Sequence, residues 1–180
     1  MLTITIPAVD HFDEIKNEFI SSDEITLHLE HSLVSLSKWE SVWNKPFLGP
    51  EDKSTEEAIG YVKAMTLTPD VPPSVYDRLT TEHFEQVSNY INEKMSATWF
   101  NERQSPRGRR EIITSEVIYY WMIEANIPNE YETWHLNRLF TLIKVINNKR
   151  APAKKMTPQQ AAAERRALNE QRKAQMGTKG

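Results

Sequence analysis

Ile25-Thr26-Leu27-His28-Leu29-Glu30-His31-Ser32-Leu33-Val34-Ser35-Leu36-Ser37-Lys38-Trp39-Glu40-Ser41-Val42-Trp43 changes its hydrophobic period part-way along. Ile25, Leu27 and Leu29 alternate with Thr26 and His28, the two-residue repeat of a half-buried strand. Leu33, Leu36, Trp39 and Trp43 then recur at helical spacing. A strand is expected to hand over to a helix near His31, and Asn44 to Pro50 to end that helix.

Working outward, Leu2, Ile4 and Ile6 alternate with Thr3 and Thr5, a second strand signal. Ser21-Ser22-Asp23 supplies turn chemistry before Ile25, and residues 15 to 20 are expected to form a further strand. A small N-terminal antiparallel β element follows from these runs.

Downstream the pattern is helical. Ser54 with Glu57 predicts a capping box for Thr55 to Met65, with Ile59, Val62 and Met65 on one face. Pro69, Pro72 and Pro73 break the chain before a short turn near Ser74 to Leu79. Phe84, Val87, Tyr90 and Ile91 mark an amphipathic helix. Another runs from about Ser115 to Ala125, with Val117, Ile118, Trp121 and Met122 inward, and Asn126 and Pro128 form the next boundary. Tyr131, Trp134, Leu136, Leu139, Phe140, Leu142, Ile143 and Ile146 form a stripe broad enough to predict burial on more than one side. The fold class is mainly α (α+β): a helical domain, a small N-terminal antiparallel β element and a basic helical or flexible C-terminal extension.

Charge divides the chain where the apolar pattern stops. Residues 149 to 180 carry nine Lys or Arg against Glu164 and Glu170, a balance of +7, while residues 1 to 148 carry thirteen bases against twenty-three acids, a balance of −10. The expected organisation is an acidic body, 1–148, and a basic extension, 149–180. Ala151-Pro152-Ala153 reads as a linker. Thr157-Pro158-Gln159-Gln160 is a helix start, but the helix it opens has almost no apolar face. Such a segment suits an acidic or phosphate-bearing partner. Lys154, Lys155, Arg165, Arg166, Arg172 and Lys173 are its candidate partner-binding residues. Arg107, Arg109 and Arg110, with Arg103 beside them, form a second basic cluster in a polar loop, with a solvated loop as the alternative reading.

The chemistry-bearing patterns of enzymes are missing from the sequence. It has no cysteine, so no disulfide framework, thiolate nucleophile or Cys-based zinc site. Five glycines make no phosphate-binding loop, and no nucleophile elbow marks a serine. His28-Leu29-Glu30-His31 lacks metalloprotease spacing and reads as a polar strand end. The expectation is a non-enzymatic protein without cofactor or metal. No apolar run approaches membrane-spanning length and the N-terminus has no signal-peptide pattern. The extension has no aromatic residues for stacking bases, which lowers a nucleic-acid reading, although duplex phosphate contact needs none. The tryptophans read mainly as core; Trp43 and Trp99, near loop boundaries, could instead anchor an interface.

Several blocks together resemble a known family: Glu30 to Ser41 (EHSLVSLSKWES), Lys45-Pro46-Phe47-Leu48, Tyr61 to Leu67 (YVKAMTL), Glu111-Ile112-Ile113-Thr114, Tyr119 to Ile123 (YYWMI), Trp134 to Leu139 (WHLNRL), and Lys154-Lys155-Met156 with the ending ERRALNEQRKAQMGTKG. Across nearly the whole chain the sequence is similar to tail assembly chaperones of long-tailed (siphovirus-type) bacteriophages. The resemblance implies a helical, non-enzymatic protein that binds the phage tape-measure protein and keeps it soluble as tail tube protein assembles around it. The tape-measure protein would be its partner, with tail tube protein or a second copy of the chain as further candidates, and the host cytoplasm its location during phage assembly. The runner-up is a structural virion protein, a tail, connector or decoration component, whose basic extension orders against a neighbouring subunit.

Overall fold

Pro7 lacks a backbone N–H, and it stands where an N-terminal β-ribbon is interrupted. In the computed structural model the ribbon is built from β1 (Leu2–Ile6), β2 (Val9–Asp13), β3 (Glu18–Ser22) and β4 (Ile25–Leu29). β1 pairs antiparallel with β4, and β2 with β3. Both pairings keep one register: Ile6 lies opposite Ile25, and Val9 opposite Ser22. The Arg78 guanidinium donates to the carbonyls of Pro7 (2.9 Å) and Asp23 (3.3 and 3.4 Å), tying both sides of the interruption to one cation.

The structure describes residues 1–13, 18–98, 100, 112–151, 162, 165, 166 and 169, with the backbone alone for 11–13 and 18–21. It forms two compact units, Met1–Asn147 and Asn148–Gly180. In the second unit, Arg165 and Arg166 are helical and exposed. The expected helix start at Thr157 to Gln160 lies outside the described residues, as does the part of the predicted strand at 15–17.

The α-helices are α1 (Leu33–Trp43), α2 (Thr55–Met65), α3 (Thr81–Asn92), α4 (Ser115–Ala125) and α5 (Leu136–Arg150). Short 3-10 helices cover Pro73–Arg78 and Asn129–Thr133. Local chemistry sets their ends. Ser32 and Ser35 form a reciprocal capping box on α1, and Ser54 and Glu57 one on α2, each satisfying donors that a helix start leaves unpaired. Asn44 and Asn126 close α1 and α4 in the left-handed conformation, both at φ 53°, which asparagine tolerates better than most residues. The mainly helical architecture with a small N-terminal antiparallel β element is the one expected.

Apolar packing divides into two clusters. One gathers Ile4, Ile6, Leu27 and Leu29 with Trp39, Tyr61, Val62, Met65, Val75, Tyr76, Val87 and Tyr90. The other gathers Leu33 and Leu36 with Ile118, Met122, Leu136, Leu139 and Ile143. α1 serves both: Trp39 faces the strand-side cluster, and Leu33 and Leu36 the helical one. Each fully buried aliphatic side chain contributes about 1.5–3 kcal/mol of transfer free energy, so α1 is the element neither cluster can lose.

Three local expectations need correction. Ser21 and Ser22 are not a turn: they belong to β3 and pair with Asp10 and Val9. Tyr131 and Trp134 do not start the last helix. They lie in and just after a 3-10 helix, because the Leu136 N–H is drawn to the His31 carbonyl (2.8 Å) and the Ser32–His135 bridge precedes α5. The broad stripe is therefore not all core. Leu136, Leu139 and Ile143 are buried, while Phe140, Leu142 and Ile146 are half-buried. Val117 and Trp121 are likewise half-buried rather than fully inward.

Candidate functional site

At the C-terminal end of α1 the apolar pattern runs out onto the surface. Val42 is 72% exposed and Trp43 half-buried. Trp43 stacks on Trp39, with ring centroids 6.0 Å apart, and its indole lies against α2 at Gly60. A methyl group added to Gly60 would stand 2.8 Å from Trp43 Nε1, so the glycine is what lets ring and helix approach. Trp39 is locked beneath by its indole N–H, which donates to the Glu57 carbonyl at 2.8 Å. Trp43 Nε1–H, by contrast, has no acceptor among the described residues.

These residues wall an open groove of about 610 Å³ between α1 and α2. Its apolar lining is Trp39, Val42, Trp43, Ile59, Gly60 and Ala64, and Lys38, Glu56, Lys63 and Asp77 line it with charge. Lys63 Nζ sits over the Tyr76 ring at 5.2 Å. Lys38, Glu56 and Asp77 make no ion pair with another described residue. An apolar trough lined by charges of both signs suits a polypeptide partner.

Near the N-terminus of α1, polarity is handled in the opposite way. His31 is buried and its Nδ1 shares a short hydrogen bond with the Tyr61 hydroxyl. Its ring stands edge-on to His135, centroids 5.1 Å apart, and also faces Tyr61 and Phe47. Burial, with the neighbouring His135 second, pushes the His31 imidazole down to about 3, so it is neutral at physiological pH. Burial also holds the Tyr61 phenol above its ordinary range. His135 Nε2–H donates to the Tyr90 carbonyl (3.0 Å), while its Nδ1 accepts from the Asn137 N–H (3.3 Å). In the last turn of α1, Glu40 is buried too: its carboxylate accepts from the N–H of Phe47 (2.9 Å) and of Ser115 (2.7 Å), placing an acceptor at the start of α4. Among the described residues no buried side-chain polar atom lacks a partner. This polar seam closes the fold and offers a ligand nothing.

The motif His28-Leu29-Glu30-His31 is dispersed by the strand-to-helix handover. His28 is exposed and hydrogen-bonds Thr3 Oγ1 at 3.2 Å, Glu30 accepts from the Tyr90 hydroxyl at 2.6 Å, and His31 turns into the seam. Among the described residues no three His, Asp or Glu side chains are grouped as metal ligands, and no helix is long and apolar enough to cross a membrane.

Of the basic residues singled out in the sequence, Arg165 and Arg166 are exposed on helical backbone. Lys154, Lys155, Arg172, Lys173, Arg107, Arg109 and Arg110 lie outside the described residues, as does Trp99. Trp43 lines the groove, and among its described lining residues it is the one that the sequence marked as an interface anchor. Val42, Ile59, Gly60 and Ala64 went unmarked because each reads as an ordinary helix residue until α1 and α2 are packed together. No family model, curated protein or solved structure matches the chain.

Proposed function

We propose that this chain is a non-enzymatic tail assembly chaperone: it binds a helical segment of a phage tape-measure protein in the host cytoplasm and keeps it soluble until tail tube protein assembles around it. The observation that carries the reading is the open apolar groove between α1 and α2, with Val42 and Trp43 left uncovered. A long amphipathic helix exposes an apolar stripe until its own assembly partners arrive, and a groove between two helices is a standard receptor for such a stripe. The block that resembles tail assembly chaperones, Glu30 to Ser41, supplies Lys38 and Trp39 to that groove.

Co-expression tests the reading. With this protein present, the tape-measure protein of the same phage should stay in the soluble fraction, and without it should sediment. Tape-measure protein equally soluble in both cases would remove the proposal.

The virion-component reading has one observation in its favour. β2 and β3 pair with each other, and Val9 in that half of the ribbon is exposed. A two-stranded ribbon is marginal alone and would gain from a neighbouring subunit. Mass spectrometry of purified virions separates the two: many copies per particle favour the component, and absence favours the chaperone.

A further inference from the structure

We infer that the α1–α2 groove takes a single amphipathic helix of another polypeptide, one whose apolar stripe is flanked by residues of both charge signs. The inference rests on reading the groove as the holding surface and adds the chemistry of what is held.

Three features define the occupant. The first is the character of the walls. Both are helices, whose interior N–H and C=O groups are already paired, so an extended strand laid here would bury its own backbone groups against no partner. A helix arrives with its backbone satisfied and presents side chains alone, and its apolar stripe meets Val42, Trp43, Ile59 and Ala64.

The second feature is the charge of the lining. Lys38 and Lys63 bring two positive charges to the groove, and Glu56 and Asp77 two negative ones. Three of the four have no ion-pair partner among the described residues, and the fourth, Lys63, lies over a ring rather than beside a carboxylate. A helix with flanks of one sign meets two like charges whichever way it lies. A helix with Glu and Lys on its flanks can oppose all four, and like-charge juxtaposition is what rejects the wrong partner.

The third feature is the Trp43 indole N–H. It lies at the wall beside Gly60, and no described residue accepts from it. Tryptophan at the edge of an apolar surface is a typical anchor, and a carboxylate, hydroxyl or amide oxygen beside the stripe of the occupant would accept from its N–H.

The test uses the full chain and three synthetic helical peptides that share one apolar stripe and carry Glu-only, Lys-only or mixed Glu/Lys flanks. Affinities are read by titration calorimetry at low and high salt. The mixed peptide should bind best, by a few-fold for each pair gained, the size expected of solvent-exposed ion pairs, and high salt should narrow its lead. Lys38→Glu should move the preference toward the Lys-flanked peptide and Glu56→Lys toward the Glu-flanked one. Val42→Glu should cost all three peptides about tenfold or more while the melting temperature stays at the wild-type value. Equal affinities for the three peptides, unmoved by either charge reversal, would overturn the charge specification. Undiminished binding to the Val42→Glu protein would overturn the groove as the site. Mixed-flank binding that vanishes with Val42→Glu, in a protein that fails to keep tape-measure protein soluble, would uphold this inference and sink the chaperone reading. Sustained tape-measure solubility with no peptide bound would do the reverse.

Discussion

The two ends of α1 treat polar groups in opposite ways. Around His31, near the helix start, two imidazoles and a phenol are buried, and their polar atoms have partners. Around Val42, at the helix end, a valine and part of a tryptophan face solvent, and Lys38, Glu56 and Asp77 have no ion-pair partner among the described residues. An unpaired polar group is costly when buried and cheap when wet, whereas exposed apolar surface is the reverse. The seam therefore spends its side chains on the fold, and the exposed margin of the groove, Val42 above all, holds apolar surface the fold does not need. Substitutions at the first should be read in stability, and at the second in binding.

The largest effect should come from the core that α1 shares. Leu139→Ala removes a fully buried side chain from the helical cluster, and a loss of about 2–5 kcal/mol is expected. Denaturant unfolding checks it; a midpoint equal to wild type would mean that the cluster relaxes around the gap.

Glu40→Ala comes next. Two N–H donors, of Phe47 and Ser115, would lose their acceptor, a cost of about 2–3 kcal/mol. The N-terminal turn of α4 should exchange amide hydrogen faster than in the wild type. Unchanged exchange there would show that another group takes over the cap.

A pH-dependent loss tests the seam directly. The folded state holds His31 near 3, well under its ordinary value of 6.5. The unfolded chain therefore binds the extra proton between those values, and stability is complete above pH 6.5 and falls as pH drops toward 3. The slope from this one group approaches about 1.4 kcal/mol per pH unit. Comparing unfolding at pH 7 and pH 5, His31→Asn should show a shallower loss than the wild type, whatever its starting stability. Equal slopes would mean that His31 gains a proton without opening the seam.

The smallest effect belongs to the basic extension. Deleting residues 151 to 180 should leave the melting temperature of the remaining body unchanged within error, because the segment has little apolar surface to contribute. A lower melting temperature would show that it stabilises the body.

Much of this contrast was legible in the sequence only at the seam end. The change of period between Leu29 and Leu33 marks the handover from strand to helix, and Ser54 with Glu57 marks the start of α2, because both signals lie within a few residues. β2 was not legible. Val9-Asp10-His11-Phe12-Asp13 has no clean alternation, and its pairing is set by the register with β3. Tyr131 and Trp134 looked helical because their spacing continues the stripe, yet a contact from His31, more than a hundred residues earlier in the chain, fixes where α5 begins. The groove was least legible. Val42 and Trp43 extend an apolar stripe as core residues would, and Gly60 reads only as a weak point in a helix. The crossing of α1 and α2, which no local pattern encodes, turns those residues into a surface.

The most direct measurement is the soluble fraction of tape-measure protein co-expressed with the Val42→Glu chain. Because Val42 is 72% exposed, the substituted protein should fold and melt like the wild type, within about 0.5 kcal/mol. The account predicts that the tape-measure protein then sediments as it does with no chaperone at all. Tape-measure protein that remains as soluble as with the wild-type chain would contradict it.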